Sequence, residues 1–157
     1  MKKIQLGGHR YKNSQIKGFT IVDKEDFERL NKFSWNVSSH GYVYTRDRKV
    51  FVYMHRLIMN TPKGFDTDHI NGNKLDNRRS NLRVCNRSEN NWNGSKKRTN
   101  KSGYKGVSWD KKAQKWLAKI CKERQQIFVG YFNSPLEASK AYDKKAQDIF
   151  GNFARKS

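Results

Sequence analysis

The sequence predicts an α+β fold in two small modules. Three observations carry this: short β-rich runs separated by polar turns, a break in composition across Asn93–Gly103, and a single amphipathic helix behind three closely spaced strand candidates. A chain of 157 residues accommodates one domain or two, each with a modest core.

Phe19-Thr20-Ile21-Val22 reads as a strand, and Asp23 as the N-cap of a helix carrying Phe27 and Leu30 on one side. The runs 33–37, 41–46 and 49–54 are aromatic and β-branched, with breaks at Ser38-Ser39-His40 and Asp47-Arg48, so they form a small antiparallel sheet. His55–Met59 is a short helix that must stop ahead of Pro62. The chain then enters a strand that ends at Asp68-His69, because Asn71-Gly72-Asn73 is turn-forming. Asn81-Leu82-Arg83-Val84 returns as a second strand, and Asn86-x-x-Glu89 resembles a capping box opening a helix that runs toward Gly94. Such a ββα unit brings two strand-end residues and one helix residue around a single cation.

The polar, glycine-containing and basic stretch from Asn93 to Gly103 reads as a linker, dividing a module at 1–97 from one at 98–157 that begins with its basic end. Beyond it lie strand candidates at 104–109, 115–120 and 126–132. Alternation puts Lys115, Leu117 and Lys119 on the face opposite Trp116, Ala118 and Ile120. Ser134-Pro135-Leu136-Glu137 supplies an N-cap, a proline at N1 and a glutamate at N3, and Ala138, Ala141, Tyr142, Ala146 and Ile149 follow at helical spacing to a stop at Gly151. The second module is thus a three-stranded antiparallel sheet backed by one helix.

Charge narrows the partner. Lys plus Arg number 34 against 14 Asp plus Glu, a net charge of +20. Residues through Lys97 contain 20 basic and 9 acidic side chains and those from Arg98 onward 14 and 5, so both modules face a polyanion. Nucleic acid is the expected partner, a ribosomal or merely soluble basic protein the bland alternative. No run of about 18 apolar residues and no signal-like start occur, so a soluble, unexported protein is expected, in the cytoplasm of a bacterial or phage-infected cell. Cys85 and Cys121 form no Cys-x-x-Cys pair, which leaves neither a disulfide framework nor a structural zinc site. His9 and His40, in polar surroundings, are expected at the surface.

Asp68-His69, Asn81 and Asn90 gather the parts needed to cut a phosphodiester bond. In-line hydrolysis needs a base for water on one side of phosphorus and a cation at the leaving oxygen on the other. A neutral imidazole, with an ordinary pKa of about 6.5, meets the first need, and a carboxylate with an amide can hold a cation for the second. Arg78, Arg79, Arg83 and Arg87 flank the motif and are candidates to seat phosphates. His55 is a possible auxiliary residue, in contact with a phosphate or packed beside its helix.

From Gly18 to Asn93 the chain resembles the HNH nucleases, in the His-Asn-Asn variant of phage and intron-encoded homing endonucleases. The most specific matches are Val52-Tyr53-Met54-His55-Arg56-Leu57-Ile58, Asp68-His69-Ile70-Asn71-Gly72-Asn73, Asn77, Asn81-Leu82-Arg83 and Ser88-Glu89-Asn90. The resemblance implies that Asp68 and Asn90 bind one divalent metal, that His69 is the general base, and that Asn81 braces the loop and orients His69. It also implies 5′-phosphate and 3′-hydroxyl products. An asparagine in place of the last motif histidine favours Mg²⁺ or Mn²⁺ over zinc.

From Ser102 to Ala154 the chain resembles the AP2/ERF DNA-binding domain, on Tyr104–Trp109, Lys115–Ile120, Val129-Gly130-Tyr131-Phe132 and Glu137–Asp143. That family lays its sheet in the major groove, and Lys105, Lys111, Lys112, Lys115, Lys119 and Arg124 are then placed to hold phosphates. Lys105, Ser108, Lys119, Cys121, Gln126 and Phe128 stand where the plant members carry mostly Arg, Glu and Trp, so the family's site preference does not transfer.

Together these expectations describe a site-directed, homing-type endonuclease acting on double-stranded DNA, with no obligate protein partner. As a monomer it nicks; as a weak dimer it cuts both strands. The alternatives are an AP2-type DNA-binding regulator with an inactive nuclease domain, and a nonspecific nuclease, which has no need of a dedicated reader.

Overall fold

Two compact units divide the chain at Arg87/Ser88, in a computed structural model that describes residues 1–7, 18–48, 50–94 and 100–154. His9 and the 95–99 centre of the expected linker lie outside the described residues. The architecture is α+β with small antiparallel sheets.

In the first unit, β1 (Lys2–Gln5) pairs antiparallel with β2 (Phe19–Val22). The sequence reading lacks β1, because a four-residue strand with Ile4 as its one buried side chain carries little periodic signal. Asp23 starts α1 (Lys24–Leu30) with extended backbone, but its carboxylate accepts from the Arg79 backbone N–H (2.8 Å) instead of capping the helix. The strand expected over 33–37 is only β3 (Asn36–Val37). Its early part turns instead: the Phe33 N–H donates to the Leu30 carbonyl, and Trp35 plunges into the core, its indole N–H donating to the same carbonyl at 2.7 Å. β4 (Val43–Asp47) and β5 (Val50–Tyr53) complete a three-stranded sheet in the order β3-β4-β5.

α2 (Met54–Met59) follows and ends at Asn60, whose left-handed backbone (φ 45°) turns the chain ahead of Pro62. Ile4, Leu6, Val22, Leu30, Trp35, Val43, Met54, Ile58 and Leu82 form one buried core. Each large apolar side chain buried there contributes about 1.5–3 kcal/mol. The core anchors β6 (Asp66–His69) and β7 (Leu82–Cys85), a two-stranded antiparallel pair in which Asp68 lies opposite Arg83 and His69 opposite Leu82.

The second unit starts within α3 (Arg87–Trp92). The contact boundary thus falls ten residues ahead of the 97/98 division read from composition. Trp92 accounts for this: it stacks on Phe150 with ring centroids 4.6 Å apart, which ties α3 to the C-terminal core. β8 (Val107–Asp110), β9 (Lys115–Lys122) and β10 (Gln125–Phe132) form an antiparallel sheet in the order β10-β9-β8. β8 begins later than the expected 104, because Ser102 and Gly106 (φ 70°) make a turn in which Ser102 Oγ donates to the Val107 carbonyl.

α4 (Pro135–Phe150) covers one sheet face, burying Ala138, Tyr142, Ala146 and Phe150 against Val107, Ala118 and Ile120. Ser134 caps it as expected, its hydroxyl accepting the Glu137 N–H at 3.2 Å. Among the described residues no helix is long and apolar enough to cross a membrane.

Candidate active site

β6 ends at His69, and the chain leaves through a turn in which Gly72 (φ 73°) donates its N–H to the His69 carbonyl at 2.8 Å. The loop that follows is clamped to β2: the Ile21 N–H donates to the Leu75 carbonyl (2.9 Å), and the Asn77 N–H to the Ile21 carbonyl (2.8 Å). Because β2 belongs to the core, the clamp fixes where Asn77 points. Asn77 is 1% exposed, and its Oδ1 lies 3.2 Å from His69 Nε2.

The tautomer follows from the neighbours. Asn77 Nδ2 donates to Thr20 Oγ1 (2.8 Å) and to the Lys74 carbonyl (3.2 Å). A carbonyl only accepts, so the amide orientation is set by the network and Oδ1 must be the atom facing His69. His69 Nε2 therefore carries the hydrogen, and Nδ1 carries the basic lone pair. Burial lowers the His69 pKa, and the hydrogen bond that its Nε2–H donates to Asn77 opposes this without cancelling it, so the ring is neutral at pH 7.

Asn81 closes the same loop. Its Oδ1 accepts the Asn71 N–H at 3.0 Å and its Nδ2 donates to the Asp76 carbonyl at 2.8 Å. Its own carbonyl accepts the Ile70 N–H at 2.9 Å, which ties the loop to the residue beside His69. Asn77 enters the sequence analysis as one match of the HNH resemblance, without a role; its place in a turn-rich loop eight residues from His69 was a signal, but only the β2 clamp directs its amide inward.

Asp68 is 8% exposed, and Arg83 across the strand pair donates to its Oδ2 from Nε (2.9 Å) and Nη2 (2.6 Å). Of the four arginines read as phosphate contacts, three are engaged by carboxylates within the unit. Arg83 holds Asp68, Arg78 makes two 2.7 Å bonds to Asp76, and Arg79 reaches both oxygens of Asp26 at 2.8 and 2.9 Å. Burial pushes the Asp26 carboxyl up, but Arg79 and Arg29 outweigh it and hold its pKa below the ordinary value. Arg87 is largely exposed and lies 3.9 Å from Asp66. The loop arginines thus help build the scaffold that carries His69 and Asp68.

His55 stands edge-on to His69 (ring centroids 5.2 Å) in a ring cluster with Tyr42 (5.1 Å) and Tyr53 (5.7 Å). Its Nδ1 is buried without a hydrogen-bond partner among the described residues. Burial and the neighbouring His69 push its pKa down to about 3. In the unfolded chain the imidazole protonates near 6.5, so between about 6.5 and about 3 the unfolded state binds one more proton than the folded state. This group's contribution to stability therefore falls as pH drops through that window, by about 1.4 kcal/mol per pH unit. His55→Phe keeps a ring and removes both the orphaned nitrogen and the titration. It is expected to raise the melting temperature at pH 5 and to flatten the acid slope of stability; an unchanged slope in urea titrations between pH 4 and 6 removes His55 as its source.

Asp68 stands on β6 in the first unit and Asn90 on α3 in the second; each carries a hard oxygen donor of the kind that suits Mg²⁺ or Mn²⁺. Among the described residues no cluster of three or more His, Cys, Asp or Glu occurs.

In the second unit, Lys105 Nζ donates to the Trp92 carbonyl (2.6 Å) and Lys119 Nζ to Gln126 Oε1 (3.0 Å). Lys111, Lys115 and Arg124 are exposed. Lys105, Lys111, Lys119 and Arg124 line a concavity of about 1300 Å³ together with Trp92, Trp109 and other residues of the unit.

A strand-end histidine beside an aspartate, a braced loop and a return strand define the class: residues 52–92 match the HNH endonuclease family, and the chain carries an HNH endonuclease domain. Over 96 residues it is 36% identical to Protein 3.8 of Escherichia phage T7, covering 60% of this chain and 77% of that protein, and it belongs to the same family. It is also 26% identical over 141 residues to the uncharacterized HNH endonuclease L560 of Acanthamoeba polyphaga mimivirus, 87% of this chain and 73% of that protein. No solved structure matches it.

Proposed function

We propose that this chain is a site-directed DNA endonuclease of the homing type, in which an HNH unit cuts and the C-terminal unit, of AP2/ERF type, selects the site. One observation carries the cutting role: a buried, neutral imidazole whose Nε2 hydrogen is committed to Asn77, leaving Nδ1 as its basic atom. His69 Nδ1 takes the proton of the attacking water. Asn77 stabilises the resulting imidazolium through the Nε2–H bond, and the loop braced by Asn81 keeps the ring from swinging away. Asp68 and Asn90 would hold one Mg²⁺ or Mn²⁺, which would supply neutralisation of the charge on the leaving 3′ oxygen. Arg83 fixes the Asp68 carboxylate from the side.

Support for the second role comes from the net charge of +9 beyond Lys97, from the sequence resemblance to the AP2/ERF domain, and from a three-stranded sheet with one helix behind it. One observation favours a DNA-binding regulator with a silent nuclease unit instead: the two Arg83 bonds on Asp68 Oδ2 are those of a settled ion pair. Incubating the full chain with a duplex library separates the two. Nicks or breaks that need Mg²⁺ or Mn²⁺, vanish with chelator and map to a recurrent sequence are expected. Binding without any cut overturns the enzyme reading, and cuts scattered at random overturn the site-directed one. Truncation at Arg98 is expected to scatter the cuts and to flatten the salt dependence of binding, since fewer phosphates are neutralised.

A further inference from the structure

The face of the C-terminal sheet opposite α4 has a composition of its own. Ala118 and Ile120 of β9 are buried against α4, so alternation turns Leu117, Lys119 and Cys121 outward. The strand register adds their neighbours: Tyr131 lies opposite Leu117, Phe128 opposite Lys119 and Gln126 opposite Cys121. Phe128 is 60% exposed and Tyr131 45%, and the two rings meet edge to face at 5.3 Å. An exposed aromatic pair on a strongly basic unit is an unusual use of surface, because apolar area left in water is unfavourable.

Charge complementarity selects the occupant, since the residues beyond Lys97 carry a net +9 and the bordering concavity is lined by Lys105, Lys111, Lys119 and Arg124. A duplex major groove is wide enough to admit β-strands, and it presents one apolar group, the thymine 5-methyl. Resting on the reading of this unit as the site-selecting module, we infer that its outer face recognises thymine methyls with Phe128 and Leu117 and an adenine about two base pairs along with Gln126. The Gln126 amide is already oriented: Lys119 Nζ donates to Oε1 at 3.0 Å, which leaves the second lone pair of Oε1 and the Nε2 hydrogens to match adenine N6–H and N7. Successive rows along a strand are about 6.8 Å apart, the span of two base-pair steps, so the Phe128 and Gln126 contacts fall about two base pairs apart. The preferred site therefore contains A·T pairs read from the major groove.

The test uses the full chain in chelator, bound to duplexes selected from a randomised library. Each thymine of the selected site is replaced in turn by deoxyuridine, which deletes only the methyl group. At one or two positions about fourfold weaker binding is expected, the worth of one buried methyl, and Phe128→Ala is expected to erase that difference. Gln126→Ala is expected to remove at least about fivefold of the preference for adenine two base pairs away.

Cys121 gives an independent readout of the face, because Cys85 is buried and Cys121 exposed. Alkylation of Cys121 should slow when DNA is bound. Protection without any uracil effect overturns the thymine reading and leaves the site-selecting module standing. Alkylation unaffected by bound DNA overturns both. A selected site without A·T pairs overturns the thymine and adenine assignments together.

Discussion

Replacing His69 with alanine is expected to lower the cleavage rate of duplex DNA by about 10²–10⁴-fold while leaving DNA binding nearly unchanged. The rate falls because nothing else in the ring cluster can take the role. His55, the neighbouring imidazole, has its pKa pushed to about 3 and is a very weak base, and the tyrosine hydroxyls of Tyr42 and Tyr53 are poor ones near neutral pH. Binding survives because phosphate attraction resides in exposed cations, whereas His69 is 3% exposed. The substitution also strands Asn77 Oδ1 inside the protein, at about 1–3 kcal/mol. Cleavage and binding are therefore to be compared at a temperature where urea titration shows the variant folded. A folded His69→Ala protein that cuts as fast as the parent removes the assigned base.

The second large effect is expected from Asn77→Ala, and it divides between stability and rate. Asn77 makes three side-chain hydrogen bonds in a position 1% exposed, to His69, Thr20 and the Lys74 carbonyl. Truncation leaves His69 Nε2–H and the Lys74 carbonyl short of a partner in the interior, while Thr20 keeps its bond to the Leu75 carbonyl. Two stranded groups at about 1–3 kcal/mol each give an expected loss of about 2–6 kcal/mol, read by equilibrium denaturation. In the molecules that remain folded, the imidazole loses the acceptor that fixed its tautomer, so kcat is expected to fall while KM for DNA holds. The split separates positioning from scaffolding. A folded variant with parental kcat shows that Asn77 serves the loop alone.

Local signals were enough for much of this molecule. Ser134-Pro135-x-Glu137 started a helix where the structure has one, since an N-cap and a proline at N1 act within a single turn. The alternation in 115–120 sorted sheet faces for the same reason: side-chain direction in a strand depends on nothing beyond the strand. Asp68 and His69 were legible as a strand end because the turn residues after them are local punctuation.

Other features depended on distant contacts and left no local trace. The strand β1 exists because β2 offers it an edge, and the run at 33–37 shortens because Trp35 finds the Leu30 carbonyl. α3 packs with the C-terminal unit because Trp92 meets Phe150, far along the chain. Charge alone could not say which arginines were engaged, since Arg79 turned out to serve an aspartate 53 residues away.

The sequence by itself determined the α+β class, the basic charge of both halves and the strand-end placement of Asp68 and His69, because composition, periodicity and turn chemistry act over a few residues. Only the tertiary structure decided which atom of His69 is basic, through an asparagine held by a strand nearly sixty residues earlier. That decision belongs to long-range hydrogen bonding: a buried amide must satisfy every donor and acceptor it has, and where those partners lie is set by packing.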